Sequence, residues 1–350
     1  MHFCMDADDG DCVRGWMAPN NPGAIPKVIV VRPGQADLVV EANVMRLGIR
    51  DMGLHETGQV GFAIGADIVP EIADLDEFSL LEFESRLPIF HRNRTHPDLA
   101  HKLCVFDTTV MANSLFQRTI SAHFNISYFT AEAIPLETMM SVINNPFTNS
   151  IFIHGRCSVF RYNGMLNEAG FKKAALLTDP FVDLAARLLS LDIVARAPGN
   201  DLKSEGLHGL ECLIPLADAL PFDNPKAMAA AFRDATPQQL QALSNPMTRL
   251  FACEPNEEAL PRHVSLALES LSNMDLVGTR DRFDVFGKTL HGLLGEDIFD
   301  GQIFTMLNSV HEIAKALSQI KLVNELLEND VILYSWAEHA IGLGAQITGA

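Results

Sequence analysis

The chain has no Cys-x-x-Cys pair, no Cys/His cluster at zinc spacing, and no apolar run of the roughly eighteen residues that span a bilayer. Its six cysteines, Cys4, Cys12, Cys104, Cys157, Cys212 and Cys253, are scattered, so they read as buried or free thiols rather than metal ligands or a disulfide framework. Cations are scarce. Lys and Arg total 26 against 44 Asp and Glu, and the formal charge of −18 opposes nucleic acids, anionic membranes and sulfated polymers as partners. The opening MHFCMDADDGDC is acidic where a secretory signal needs a basic and then an apolar region, so a cytoplasmic protein is the expectation. What is present is a globular composition: 350 residues, 48% hydrophobic and 20% charged, enough for a substantial core in one or two domains.

Residues 1–26 carry Gly, Asn, Pro and Asp without periodicity and read as a flexible lead-in. Residues 27–95 hold short Val-, Ile- and Phe-rich segments punctuated by Gly, Pro and Asp, which predicts a small β-rich domain. His55 and Glu56, on a glycine-flanked turn, lack a third metal ligand. The histidine-containing stretch 91–102 reads as a solvated connector, with the domain boundary inside it. From residue 96 to 350 the expectation is an α/β domain. KLCVFDTT, SIFIHG and AALLTD are strands separated by helical stretches, which implies a parallel sheet. After residue 201 the pattern is helical: 225–233, 237–243, 257–273, 283–294, a long helix from 301 to about 327, and 329–341. Ile313, Leu317, Ile320 and Val323 form a stripe that reads as core or as the face of a homo-oligomer.

Within that domain the stretch KAALLTDPFVDLAARLL, 173–189, reads as a buried strand, a stop and an amphipathic helix. Asp179 and Pro180 suit the helix start. Such a corner offers an anion the backbone N–H groups and the positive end of a helix. The corner is short of charge, since its first cation, Arg187, lies about 12 Å along the helix and is spaced to pair with Asp183. His154 and Arg156 flank Gly155 at a strand end. They read either as an ordinary polar terminus or as a general base and an anion binder.

Four blocks in order resemble the carbohydrate-type sulfotransferases that use the activated sulfate donor PAPS, a P-loop-like α/β family. They are VFDTTVMANSL (105–115), FIHGR (152–156), LTDPFVDLAARLL (177–189), and a helical group comprising NPMTRLF (245–251), VGTRDRFD (277–284) and DVILYSWA (330–337). The resemblance covers about residues 102–340. It implies transfer of a sulfuryl group from PAPS to a hydroxyl of a saccharide or small hydroxylated acceptor, without a metal. It places Thr108, Thr109, Asn113 and Ser114 in the donor loop, Thr178, Asp179 and Arg187 at the corner, and Arg249 in the helical half. His154 and Arg156 take the catalytic positions.

The chain departs from the family where the donor is gripped. Thr108 stands nearest the loop lysine, VMAN replaces a Gly-Gly pair, Thr178 and Asp183 replace two arginines, and Ala186 replaces a serine. Charge-assisted bonds contribute roughly 1.5 to 3 kcal/mol each, so three lost partners weaken donor binding by several decades. A repurposed protein that binds a saccharide, another ligand or a protein partner without catalysis is therefore a second reading. A glycosyltransferase-like enzyme is a third, with Asp6-Ala7-Asp8 as its candidate Asp-x-Asp.

Overall fold

The structure, a computed structural model, describes residues 1–95, 98–110, 114–196, 208–299 and 306–348. Its N-terminal part holds β1 (His2–Asp8), β2 (Cys12–Ala18), β3 (Lys27–Val31), β4 (Leu38–Glu41), β5 (Val44–Met45), the short helix α1 (Leu47–Asp51), β6 (Gln59–Gly65), β7 (Glu77–Glu82) and β8 (Pro88–Asn93). These strands make two antiparallel sheets, ordered β1-β2-β6-β5 and β4-β3-β7-β8.

Residues 1–26, expected to be a lead-in without regular structure, thus supply a hairpin. Phe3, Met5, Val13 and Met17 alternate into the core, as a half-buried strand pair requires. The acids that break the hydrophobic pattern are paired with arginines: Asp6 with Arg46, Asp8 with Arg92 and Asp9 with Arg14. Asp6 and Asp8 are therefore spent as ion-pair partners, which removes Asp6-Ala7-Asp8 from contention as a metal motif.

The second part begins with β9 (Lys102–Asp107), α2 (Ser114–Ser121), β10 (Ile126–Tyr128), α3 (Leu136–Ile143), β11 (Ile151–Gly155), α4 (Val159–Glu168), β12 (Lys172–Leu177) and α5 (Pro180–Arg196). It continues through α6 (Ile214–Asp218), α7 (Pro225–Asp234), α8 (Pro237–Leu243), α9 (Pro246–Ala252) and α10 (Arg262–Ser272) to β13 (Leu276–Thr279). The last elements are α11 (Phe283–Leu294), α12 (Asn308–Leu317), α13 (Lys321–Leu326) and α14 (Glu328–Thr348). The five strands pair in parallel in the order β10-β11-β9-β12-β13. The fold is therefore an N-terminal antiparallel β region, a parallel five-stranded sheet with helices, and a largely helical C-terminal region.

Two strands escape the sequence pattern. β10 is three residues long, and β13 lies in the part expected to be nearly all helical, in the gap between the expected helices 257–273 and 283–294. The expected long helix from 301 is two helices, α12 and α13, with residues 318–320 between them; 301–305 lie outside the described residues. The strand order places a topological switch point between β9 and β12, because the chain leaves β9 towards β10 and leaves β12 towards β13. In open α/β sheets the crevice beyond the carboxyl ends of such strands holds the ligand.

Candidate functional site at the carboxyl edge of the parallel sheet

The register brings the strand ends level: Gly155 lies opposite Phe106, Leu176 opposite Asp107, and Leu177 opposite Thr279. Asp107, the last residue of β9, is the hub. Its carboxylate accepts the backbone N–H of Thr109 at 3.0 Å, faces His154 Nε2 at 3.1 Å, and takes a close hydrogen bond from the Arg280 guanidinium. Burial pushes this carboxyl towards its neutral form. The Arg280 charge, His154 and the Thr109 N–H outweigh burial and hold its pKa well below the usual carboxylate range. Arg280 also donates from Nε to Thr178 Oγ1 at 3.3 Å, and Thr178 Oγ1 lies 2.9 Å from Thr109 Oγ1. Two loops that the sequence reading placed together, after β9 and after β12, thus meet through their hydroxyls across the switch point.

The strand-to-helix corner itself is closed to anions. The Asp179 carboxylate accepts the N–H groups of Phe181 and Val182 at 2.9 and 3.0 Å, which are the donors a phosphate would use at the start of α5. Ala186 is fully buried in the helical core, so that position cannot touch a ligand in place of the family's serine. Asp183 and Arg187 form the buried pair that their spacing predicts, at 2.9 Å.

Cationic groups collect instead in a neighbouring cleft of about 460 Å³, whose wall includes Thr108, Arg156, Ser158, Arg187, Arg249 and Cys253. Arg156 is anchored by Glu132, with Nε donating to Oε1 at 3.0 Å and the backbone N–H donating to Oε2 at 2.9 Å. Burial lowers its pKa and Glu132 opposes that shift; a guanidinium keeps its charge in any case. Arg187 reaches the Thr108 carbonyl at 3.4 Å, yet its Nε and the Thr108 hydroxyl have no hydrogen-bond partner, although these residues are only 3% and 2% exposed. Arg249 donates to the Gln241 carbonyl at 3.2 Å and has no carboxylate partner among the described residues. A single acid, Glu254, stands at the exposed rim. Buried unpaired donors beside an uncompensated guanidinium are what a bound anion would satisfy.

His154 is not in the cleft wall. Its ring packs among Phe116, Phe129 and Phe152, with centroids 5.1, 6.3 and 6.1 Å away, and its side chain is 12% exposed. With Nε2 turned to Asp107, Nδ1 is the nitrogen left to accept a proton, the arrangement of a base oriented by a carboxylate. Of the expected site residues, the structure therefore gathers Thr108, Arg156, Arg187 and Arg249 in one cleft. It links Thr109, Thr178 and His154 through Asp107 and Arg280, and commits Asp179 to its own helix. Asn113 lies outside the described residues, and of Ser114 only its place at the start of α2 is described.

A further cluster lies beside the cleft. Cys253 Sγ is 3.3 Å from His263 Nδ1, and Glu257 Oε1 is 3.3 Å from Nε2, so three potential metal ligands stand close together. The Leu260 N–H donates to the same Nδ1 at 3.0 Å and Arg262 Nε donates to Nε2 at 3.3 Å, so both ring nitrogens already face protein donors. Burial and the Glu257 charge push the Cys253 thiol up to about 11. A metal here would have to displace the Leu260 bond and deprotonate that thiol. No protein-family model matches the chain, and no curated protein matches it.

Proposed function

We propose that the protein is a divergent sulfotransferase-like enzyme whose arginine-lined cleft receives the anionic end of a PAPS-type donor and whose acceptor is a hydroxyl of a saccharide. The reading is carried by one observation: four residues chosen from sequence alone, Thr108, Arg156, Arg187 and Arg249, line a single cleft at the carboxyl edge of the sheet. The orphaned Arg187 Nε and Thr108 Oγ1 fit a phosphate or sulfate oxygen. Because Asp179 caps α5 and Ala186 is buried, the donor's grip passes from the family's positions to Arg249 and Arg156. In the transfer, the acceptor oxygen forms its bond to sulfur as the bond from sulfur to the bridging oxygen breaks. The hydroxyl proton goes to His154 Nδ1 and adenosine 3′,5′-bisphosphate leaves.

The test is calorimetry with adenosine 3′,5′-bisphosphate. Saturable binding that Arg249→Ala weakens by about tenfold or more, roughly 1.4 kcal/mol, is the expected result. A flat titration at millimolar nucleotide overturns the reading. The enclosure of His154 by three phenylalanines favours a second reading, a binding protein without catalysis. His154→Gln separates the two: loss of sulfated product with nucleotide binding intact identifies the enzyme, and an unchanged cellular phenotype identifies the binder.

A further inference from the structure

The geometry points to a second binding site, a groove for a neutral oligosaccharide between the N-terminal β region and the edge strand β10. The groove encloses about 1210 Å³, large for a single small molecule and suited to several sugar rings. Most of its charges are already paired; Glu84 and the terminal amine of Met1 make no ion pair among the described residues. Lys27 pairs with Glu41 at 2.9 Å, Arg86 pairs with Asp37 at 3.0 Å, and Glu82 accepts from the Ser85 backbone and hydroxyl in its own turn. The two that are left have opposite signs, so the groove favours neither an anion nor a cation over a neutral ligand.

What remains open is the chemistry that recognises a pyranose: flat apolar faces beside hydrogen-bonding groups. Phe83 stands in the wall at 43% exposure, with the Lys27 ammonium over its ring at 5.8 Å from the centroid, and the partly buried Phe129 also lines the groove. The same wall holds Ser127, whose buried Oγ has no hydrogen-bond partner, and Gln117. The backbone is held in left-handed conformations on both walls, at Arg86 (φ 56°) and Thr130 (φ 54°), the kind of strain that concentrates at ligand clamps.

The groove has a direction. Phe129 forms part of its wall and also touches the His154 ring, at 6.3 Å between centroids, so one end of the groove lies beside the base. Thr130 starts the short turn of helix that carries Glu132, the anchor of Arg156 in the anionic cleft. The donor cleft and the groove thus flank the end of β11, and a sugar chain in the groove presents a hydroxyl towards His154. This last step rests on the transferase reading; the binding itself does not.

The experiment is calorimetry of the full chain with maltopentaose, cellopentaose and laminaripentaose in turn, with no nucleotide present. Saturable binding of at least one, weakened about tenfold by Phe83→Ala and by Gln117→Ala but unchanged by Arg249→Ala, is the expected result. Phe83 is solvent-exposed, so its replacement leaves the fold intact, which far-ultraviolet circular dichroism checks. Flat titrations with all three glucans, or binding indifferent to Phe83 and Gln117, overturn the proposal, as does binding of a proline-rich peptide alone. Nucleotide binding is measured separately, so loss of the donor reading and loss of this one are told apart.

Discussion

Asp107 holds more of the site than any residue around it, because three elements spend hydrogen-bonding capacity on one buried carboxylate. Changing it to Asn leaves Arg280 without its counter-charge and His154 without its orienting partner. The expected cost is about 3–5 kcal/mol of stability, read as a lowered urea midpoint with an unchanged slope. Gly155 is the other fixed point. It sits at φ 147°, and an added Cβ would meet Glu132 Oε2 at 2.5 Å and the Ala131 nitrogen at 2.6 Å. Gly155→Ala is therefore expected to push apart the Glu132–Arg156 pair and destabilise by about 1–3 kcal/mol, again checked by urea unfolding. The sequence made Gly155 conspicuous through its flanking His154 and Arg156. It gave no sign of Asp107 as a hub, since its strongest partner, Arg280, is 173 positions away. An acid ending an otherwise apolar strand was the only local signal.

At the scale of elements, α9 carries Arg249 into the cleft and depends for its start on a residue of α14. Asp330, 1% exposed, accepts the N–H groups of Met247 and Thr248 at 2.9 and 2.7 Å. Burial pushes its pKa up to about 6 from an ordinary 3.8, only partly opposed by those two bonds. A folded pKa above the unfolded one means that the folded chain holds the proton longer. The stabilisation from this group is complete below about pH 4 and is lost as pH rises through 6, a change of about 3 kcal/mol. Asp330→Asn is expected to remove that component, which appears as a flatter dependence of unfolding free energy between pH 4 and 7 than in the unmodified chain.

The elements that sequence reasoning recovered, β9, β11 and β12 with the Asp179-capped α5, are those whose local pattern agrees with their tertiary role. β10 and β13 fail that test because three or four residues cannot establish a period, and they are strands only through their neighbours. α10 begins at Arg262 rather than near 257, because Pro261 stops the helical pattern from running back through Glu257 and Glu258.

The same dependence on distant partners governs the whole molecule. The β region and the parallel sheet share one hydrophobic cluster, running from Phe3, Val28 and Phe90 through Tyr128 and Ile151 to Phe251 and Leu333. Polar contacts sew the same seam: Tyr128 donates to the Pro88 carbonyl at 2.9 Å, and the Phe3 N–H donates to the Ser141 hydroxyl of α3 at 3.2 Å. A change of pattern near residue 95 is visible in the sequence, but composition cannot reveal that the two sides bury each other. The hairpin β1–β2 is the sharpest case, hidden by acids whose arginine partners Arg46 and Arg92 come much later. If residues 1–18 were a lead-in, removing them would leave stability unchanged. The structure predicts otherwise. Deletion strips β6 of one of its two partner strands and exposes the faces that Phe3, Met5, Val13 and Met17 cover, each contributing about 1.5–3 kcal/mol when buried. That loss rivals the whole stability of an ordinary domain, about 5–15 kcal/mol. The shortened chain is therefore expected to lose its cooperative thermal transition, and with it the ordered strand end that holds His154. The intact chain is expected to melt in one transition, seen at the same temperature by far- and near-ultraviolet circular dichroism. Two separated transitions would show instead that the shared cluster does not couple the halves.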